Sequence, residues 1–296
     1  MQVFTIEGGI PLNGTVTPSG SKNATLPLLA ACLLTDQTVI LNNVPHIRDV
    51  MSMRKLLESL GVEYEELTPH KWKIQAKNIR PANLDPELCK KIRASILIAG
   101  PMCARSGEIS LSPPGGDVIG HRRLDTHFLA LNKLGVEATF DSLFTFKTKK
   151  LTGTDILLDE ASVTATENAI MAAVLAEGIT TLRNAASEPH VQELCNFLNI
   201  LGADITGIGS NQLTINGVKT LGGGEYTIGA DYLEVVSFIS AAVVTKGSIT
   251  VKNAGTKYLD MIRMTFNRLG VDWKIRGDDI IVPGNQDLQI QKDLGN

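Results

Sequence analysis

Ala172-Ala173-Val174-Leu175-Ala176-Glu177-Gly178-Ile179-Thr180-Thr181-Leu182-Arg183-Asn184-Ala185 decides the fold. An apolar helix end runs into a short polar turn, then a β-branched strand, then an Asn turn. The same order returns at 241–254, where Ala241-Ala242-Val243-Val244-Thr245-Lys246-Gly247 precedes Ile249-Thr250-Val251-Lys252-Asn253-Ala254. Looser copies stand at 28–34 with 38–43, and at 96–100 with 108–111. Each copy is followed by a second helical stretch that stops at Leu-Gly: Leu60-Gly61, Leu134-Gly135, Leu201-Gly202 and Leu269-Gly270. The glycine is the expected left-handed stop. A strand follows each stop, at Val62-Glu63-Tyr64, Val136-Glu137-Ala138, Ala203-Asp204-Ile205 and Val271-Asp272-Trp273. The stops lie about 70 residues apart, so the chain is a repeat of strand–helix–strand–helix–strand units. Helices on one side of a small sheet leave an apolar face that only further units can cover.

Composition bounds the function. The chain has 296 residues, 43% of them apolar, and a formal net charge of -3. That supports a sizeable core and excludes a nucleic-acid protein held by a general basic surface. The cysteines, Cys32, Cys89, Cys103 and Cys195, form no C-x-x-C pair, and Cys32, Cys103 and Cys195 sit among apolar residues as reduced, buried thiols would. No H-E-x-x-H occurs, and neither a metal nor a cofactor is expected. The N-terminus alternates like a strand and is no leader peptide. The apolar run 26–34 is too short for a membrane span and contains Pro27. These features imply a soluble, cytoplasmic protein.

Several helix starts look suited to anions. Thr164-Ala165-Thr166-Glu167 and Asp231-Tyr232-Leu233-Glu234 read as capping boxes. Ser19-Gly20-Ser21-Lys22-Asn23 is a small-residue loop entering a helix, with Pro27 near its start. Its free N–H groups and its lysine suit an anion, or form an ordinary cap beside a solvated lysine. Residues 113–125 are too glycine-rich for a helix or strand, and carry Asp117, His121, Arg122 and Arg123 close together. Two guanidinium groups there can clamp a phosphate or carboxylate; otherwise the segment is a solvated loop. Arg93 precedes an apolar helix, where a cation opposes the helix dipole; such a broken rule marks a site or an exposed turn shared with Lys90 and Lys91.

At this point the residues resemble a known family. Residues 19–27, Asn43-Val44-Pro45 with Arg48-Asp49-Val50, Arg93-Ala94-Ser95 and Pro114-Gly115-Gly116 match, in order, the motifs of the UDP-N-acetylglucosamine enolpyruvyl transferases. So do Ala165-Thr166-Glu167-Asn168, Glu188-Pro189, Gly217-Val218 and Leu221-Gly222-Gly223-Gly224-Glu225-Tyr226. The resemblance implies an inside-out α/β barrel of six βαβαβ-type units in two lobes, of which about four units are visible. Residues 20–226 would form a complete first lobe of three units. Residues 1–19 with 227–296 would form a partial second lobe, with the remainder missing from a truncated chain.

The resemblance also implies the chemistry. The 3-hydroxyl of UDP-N-acetylglucosamine attacks C2 of phosphoenolpyruvate, C3 gains a proton, and the tetrahedral intermediate loses phosphate, an early committed step toward peptidoglycan. Lys22 and Arg122 would hold phosphoenolpyruvate, and Asn23 would bond the reacting groups. Arg93 would assist from its helix start. Arg123, Leu124 and Asp125 would line the uracil pocket, and Ser162 and Val163 would cradle the diphosphate. Asp117 stands where most members have a cysteine, the proton donor that fosfomycin alkylates. A protonated carboxyl can give the same proton but forms no thioether, so insensitivity to fosfomycin is expected. Glu160, Thr164 and Tyr232 also depart from the pattern, standing where the family often has a basic residue, a glycine and an arginine. The family's general base, an aspartate, lies in the units not visible here. Two alternatives remain open: a transferase acting on shikimate 3-phosphate, and a non-catalytic fragment that binds the nucleotide. Oligomeric state is not legible.

Overall fold

The computed structural model describes residues 3–81, 84–116 and 123–289. The chain divides into two compact units, Lys22–Ile228, and 3–21 with 229–289 among the described residues. In chain order, β1 (Gly14–Val16) belongs to the second of these.

The larger unit opens with α1 (Lys22–Ala31), β2 (Thr38–Asn42), α2 (Arg48–Ser59), β3 (Glu63–Thr68) and β4 (Lys71–Gln75). Next come α3 (Pro86–Lys91), a 3-10 turn over Arg93–Ile98, α4 (Ala99–Ser106), β5 (Glu108–Leu111), α5 (Asp125–Lys133), β6 (Glu137–Asp141) and β7 (Leu143–Lys147). The third repeat holds β8 (Asp155–Leu157), α6 (Val163–Ala173), β9 (Ile179–Arg183), α7 (Pro189–Ile200), β10 (Asp204–Thr206) and β11 (Gln212–Asn216). The strand β12 (Gly224–Thr227) then returns to pair in parallel with β2. The sheet orders are β12-β2-β4-β3, β5-β7-β6 and β10-β11-β9-β8.

The smaller unit continues with α8 (Tyr232–Val244), β13 (Ile249–Val251), α9 (Asp260–Asn267), β14 (Lys274–Arg276) and β15 (Asp279–Val282), in a sheet of order β1-β13-β15-β14. Its own core gathers Val235, Ile239, Val251, Trp273, Ile280 and Val282.

In the larger unit the helices lie inside and the sheets outside. Every residue of α1 from Ala24 to Ala31 is buried, and so is α6 from Ala165 to Ala173. From Ala24, α1 is apolar apart from Thr25, as a fully enclosed helix requires, whereas α6 also encloses Thr166, Glu167 and Asn168. The second helices are one-sided instead: α2 buries Val50, Met53, Leu56 and Leu57 on one face. The fold class read from the repeats therefore stands. The Leu-Gly stops do too: Gly61, Gly135, Gly202 and Gly270 have φ of 94, 98, 102 and 77. Asn43, Asn184 and Asn253, at equivalent strand ends, share a left-handed backbone. The first two use it to tie in a parallel neighbour, since Asn43 Nδ2 donates to Ile228 O (3.0 Å) and Asn184 Nδ2 to Leu158 O (3.0 Å). All four cysteines are buried thiols, and burial pushes those of Cys103 and Cys195 up to about 12.

Two expectations need correction. The alternating N-terminus is not a strand: from Val3 the chain is irregular, and pairing begins only at Gly14, against β13. Alternation makes a strand only where a neighbour offers a hydrogen-bonding edge, and Val3, Phe4 and Ile6 are exposed. After Gly270 the strand starts at Lys274, not Val271, because the Asp272 amide donates to the Gln286 side chain and its carboxylate accepts from Arg263. Among the described residues, no helix is long and apolar enough to cross a membrane.

Candidate functional site

The candidate residues that can be described lie in the larger unit, at the starts of α1, of the 93–98 turn, of α5 and of α6. Of these, α6 packs against α5 and against the 93–98 turn, and the turn packs against α1. Asp117 and Arg122 lie outside the described residues, as do 118–121.

The root of that loop is built for close approach. Gly115 N–H donates to Cys89 O (3.2 Å) and Gly116 N–H to Lys90 O (3.0 Å), so the glycines lie on the end of α3. A Cβ on Gly115 would fall 1.8 Å from Lys90 O, which excludes any other residue. Gly116 has a φ of 93 and lies beside the Arg93 backbone. The Pro-Gly-Gly sequence thus brings Gly116 against the Arg93 backbone.

Arg93 reaches onward. Its Nη2 donates to Arg123 O at 3.0 Å, which joins the 93–98 turn to the strip Arg123-Leu124-Asp125. The Arg123 guanidinium pairs with the Asp125 carboxylate, which pushes its pKa further up. Asp159 and Glu160 act on Arg123 in the same sense, so the segment before α6 lies near it. Glu160 adds negative charge where an anion is expected, and Arg123 offsets it.

The start of α6 is open. Ser162 occupies the N-cap position, but its side chain makes no capping bond. The capping box read at Thr164 is therefore wrong by two positions. Thr164 lies inside the first turn, and Glu167 is buried, 1% exposed, where it cannot fold back to the cap. Burial, and secondarily Glu188, raise the Glu167 carboxyl well above the usual range, so it is held neutral. No side chain caps the first amides of α6, from Val163 onward, while the Ser162 N–H donates to Glu160 O (2.8 Å).

A buried relay links the starts of α5 and α6. His127, 1% exposed, contacts Thr164 Oγ1 through Nε2 (3.0 Å) and Asn168 Nδ2 through Nδ1 (2.9 Å). Asn168 also donates to Ile96 O (2.8 Å) and accepts from Gly100 N–H (2.8 Å). Thr126 Oγ1 adds a bond to Asp159 Oδ1 at 2.8 Å. Burial, then the positive charge of Arg93, lower the His127 pKa to about 3, so the ring is neutral. Lys22 and Asn23 begin α1, where Lys22 Nζ lies 3.4 Å from Asp49 Oδ2 on α2. Both partners are about half-exposed, so this pair costs little to open.

The structure thus gathers Arg93, Arg123, Leu124 and Asp125 directly, and ties Ser162 and Val163 to them through α5. Sequence reasoning missed His127, Asn168 and Asp159. One signal was present: Thr164 and Asn168 are spaced i, i+4 on a helix that is apolar from Ala169 onward, so they share one face.

Known proteins resemble this chain over its whole length. The family model described as EPSP synthase (3-phosphoshikimate 1-carboxyvinyltransferase) matches residues 6–293. The UDP-N-acetylglucosamine 1-carboxyvinyltransferase of Treponema denticola is 52% identical over 100% of this chain and 69% of its own. That of Bradyrhizobium diazoefficiens is 54% identical over 99% of this chain and 68% of its own. Among solved structures, the enolpyruvyl transferase NikO from Streptomyces tendae superposes with a TM-score of 0.84 at 21% identity, covering 96% of this chain and 69% of that one. EPSP synthase from Acinetobacter baumannii gives 0.72 at 18%, covering 95% and 67%. The structural likenesses bear on the fold.

Proposed function

The chain belongs to the EPSP synthase family and, within it, to the UDP-N-acetylglucosamine 1-carboxyvinyltransferases, and from that premise we propose that it transfers the enolpyruvyl group of phosphoenolpyruvate to the 3-hydroxyl of UDP-N-acetylglucosamine. Phosphate leaves, and the product enters peptidoglycan precursor synthesis in the cytoplasm. The observation that carries the reading is the uncapped start of α6 beside the Arg123–Asp125 strip. A nucleoside diphosphate sugar offers the two groups this arrangement suits: a diphosphate for the open amides, and a planar base for the strip.

In this reading Ser162 and Val163 take the diphosphate, and Arg123, Leu124 and Asp125 take the uracil. Arg93 holds the strip in place through Arg123 O. Lys22 and Arg122 hold phosphoenolpyruvate, and Asn23 bonds the reacting groups. Lys22 must then exchange its Asp49 partner for the incoming anion. Asp117 supplies the proton to C3, as the acid that replaces a thiol.

The test is phosphate release with phosphoenolpyruvate and UDP-N-acetylglucosamine together. Release that instead requires shikimate 3-phosphate would favour the rival transferase. Nucleotide binding without release would favour a non-catalytic binder. Fosfomycin should leave activity intact, and a covalent adduct on residues 117–122, seen by mass spectrometry, would contradict the role given to Asp117.

A further inference from the structure

Thr164 has a hydroxyl whose direction can be worked out. Asn168 has only one possible orientation, because Gly100 N–H can only donate and Ile96 O can only accept. Its Nδ2 therefore donates to His127 Nδ1, which must be the bare, accepting nitrogen. The ring proton of the neutral imidazole is then on Nε2. Nε2–H donates to Thr164 Oγ1, so the threonine oxygen is the acceptor of that bond. Its own hydrogen is left for another partner, and no side chain or carbonyl among the described residues takes it.

We propose that Asn168 and His127 are positioning residues that aim the Thr164 hydroxyl as an extra hydrogen-bond donor to the diphosphate oxygens of the nucleotide sugar. This rests on the function proposed above and deepens it. The relay is assembled before any ligand arrives, from a helix amide and a turn carbonyl that cannot change roles. It also fixes the spacing between the starts of α5 and α6, which carry the base strip and the diphosphate cradle. Thr164 is half-buried at the first turn of α6, next to the open amides. A hydroxyl there supplements the amides and offsets the nearby Glu160 charge without a cation.

The experiment is calorimetric titration of the whole chain with UDP-N-acetylglucosamine, run beside thermal melts. Thr164→Val should raise Kd by about tenfold, the loss of one hydrogen bond to a charged oxygen. Its melting temperature should fall by a few degrees, because the buried His127 Nε2–H loses its acceptor, but the chain should stay folded across the titration. Thr164→Ser should bind like the parent. His127→Gln, which retains a donor near the Nε2 position, should bind more tightly than His127→Phe. In steady state, Thr164→Val should raise the nucleotide KM while leaving kcat close to the parent value. A parent chain that binds the nucleotide with Thr164→Val unchanged overturns this proposal alone. A parent chain that fails to bind overturns the functional reading along with it. Equal losses in Thr164→Val and Thr164→Ser would also contradict the hydroxyl's role.

Discussion

The starts of α6 and α8 occupy equivalent places in two repeats, yet they finish in opposite ways. At α8, Asp231 accepts from Leu233 N–H (2.9 Å) and Glu234 N–H (3.4 Å), so the helix satisfies its own first amides. At α6, Ser162 stands at the cap and its side chain makes no such bond. The bodies differ as well. Nearly all of α6 is buried, whereas α8 buries Val235, Ile239, Ala242 and Val243, and α9 buries nothing. One repeat pattern therefore serves two purposes. Where sibling repeats enclose the helix, packing holds it without a side-chain cap. Where the helix stands on its own sheet, the cap supplies part of the stability.

The largest expected effect separates the enclosed α6 from the exposed α9. Ile170→Ala on α6 should cost about 2–5 kcal/mol in denaturant unfolding, while Met261→Ala on α9 stays within about 0.5 kcal/mol. Ile170 is fully buried and Met261 is 70% exposed. Equal losses would remove the distinction.

A smaller effect is tied to pH. The His127 pKa is lowered in the folded state, so its contribution is fully present above the unfolded value of about 6.5. It is lost as pH falls toward about 3, where the folded ring would take up a proton. His127→Gln should flatten that part of the acid-unfolding curve, and an unchanged slope would count against a buried neutral ring.

The smallest effects sharpen the contrast between caps. Asp231→Ala should destabilise by about 1 kcal/mol and Ser162→Ala by only a few tenths. Ser162→Asp should stabilise the fold by about 1 kcal/mol while weakening nucleotide binding, because its carboxylate would occupy the open amides. Thermal melts and calorimetry on the same samples would show the two changes moving in opposite directions.

Much of this could be read from the chain beforehand. The β-branched strands after apolar helices, the Leu-Gly stops and the Asp231 cap are local patterns, and all of them appear in the structure. The cap at Thr164 was misread because Ser162, Thr164 and Thr166 are all plausible caps, and only the burial of Glu167 decides among them. The N-terminal strand was misread because alternation carries no information about a pairing partner. The relay was invisible because Asn168, His127, Ile96 and Gly100 meet only in three dimensions. Of the candidate site, the helix starts that carry its residues were legible, whereas the way α5 is fastened to α6 was not.

Backbone amide shifts during a titration with UDP-N-acetylglucosamine test the account most directly. Val163, Thr164 and Ala165 should move and saturate together, while Leu233 and Glu234, already held by Asp231, should stay in place. Movement at α8 with a silent α6 would contradict it.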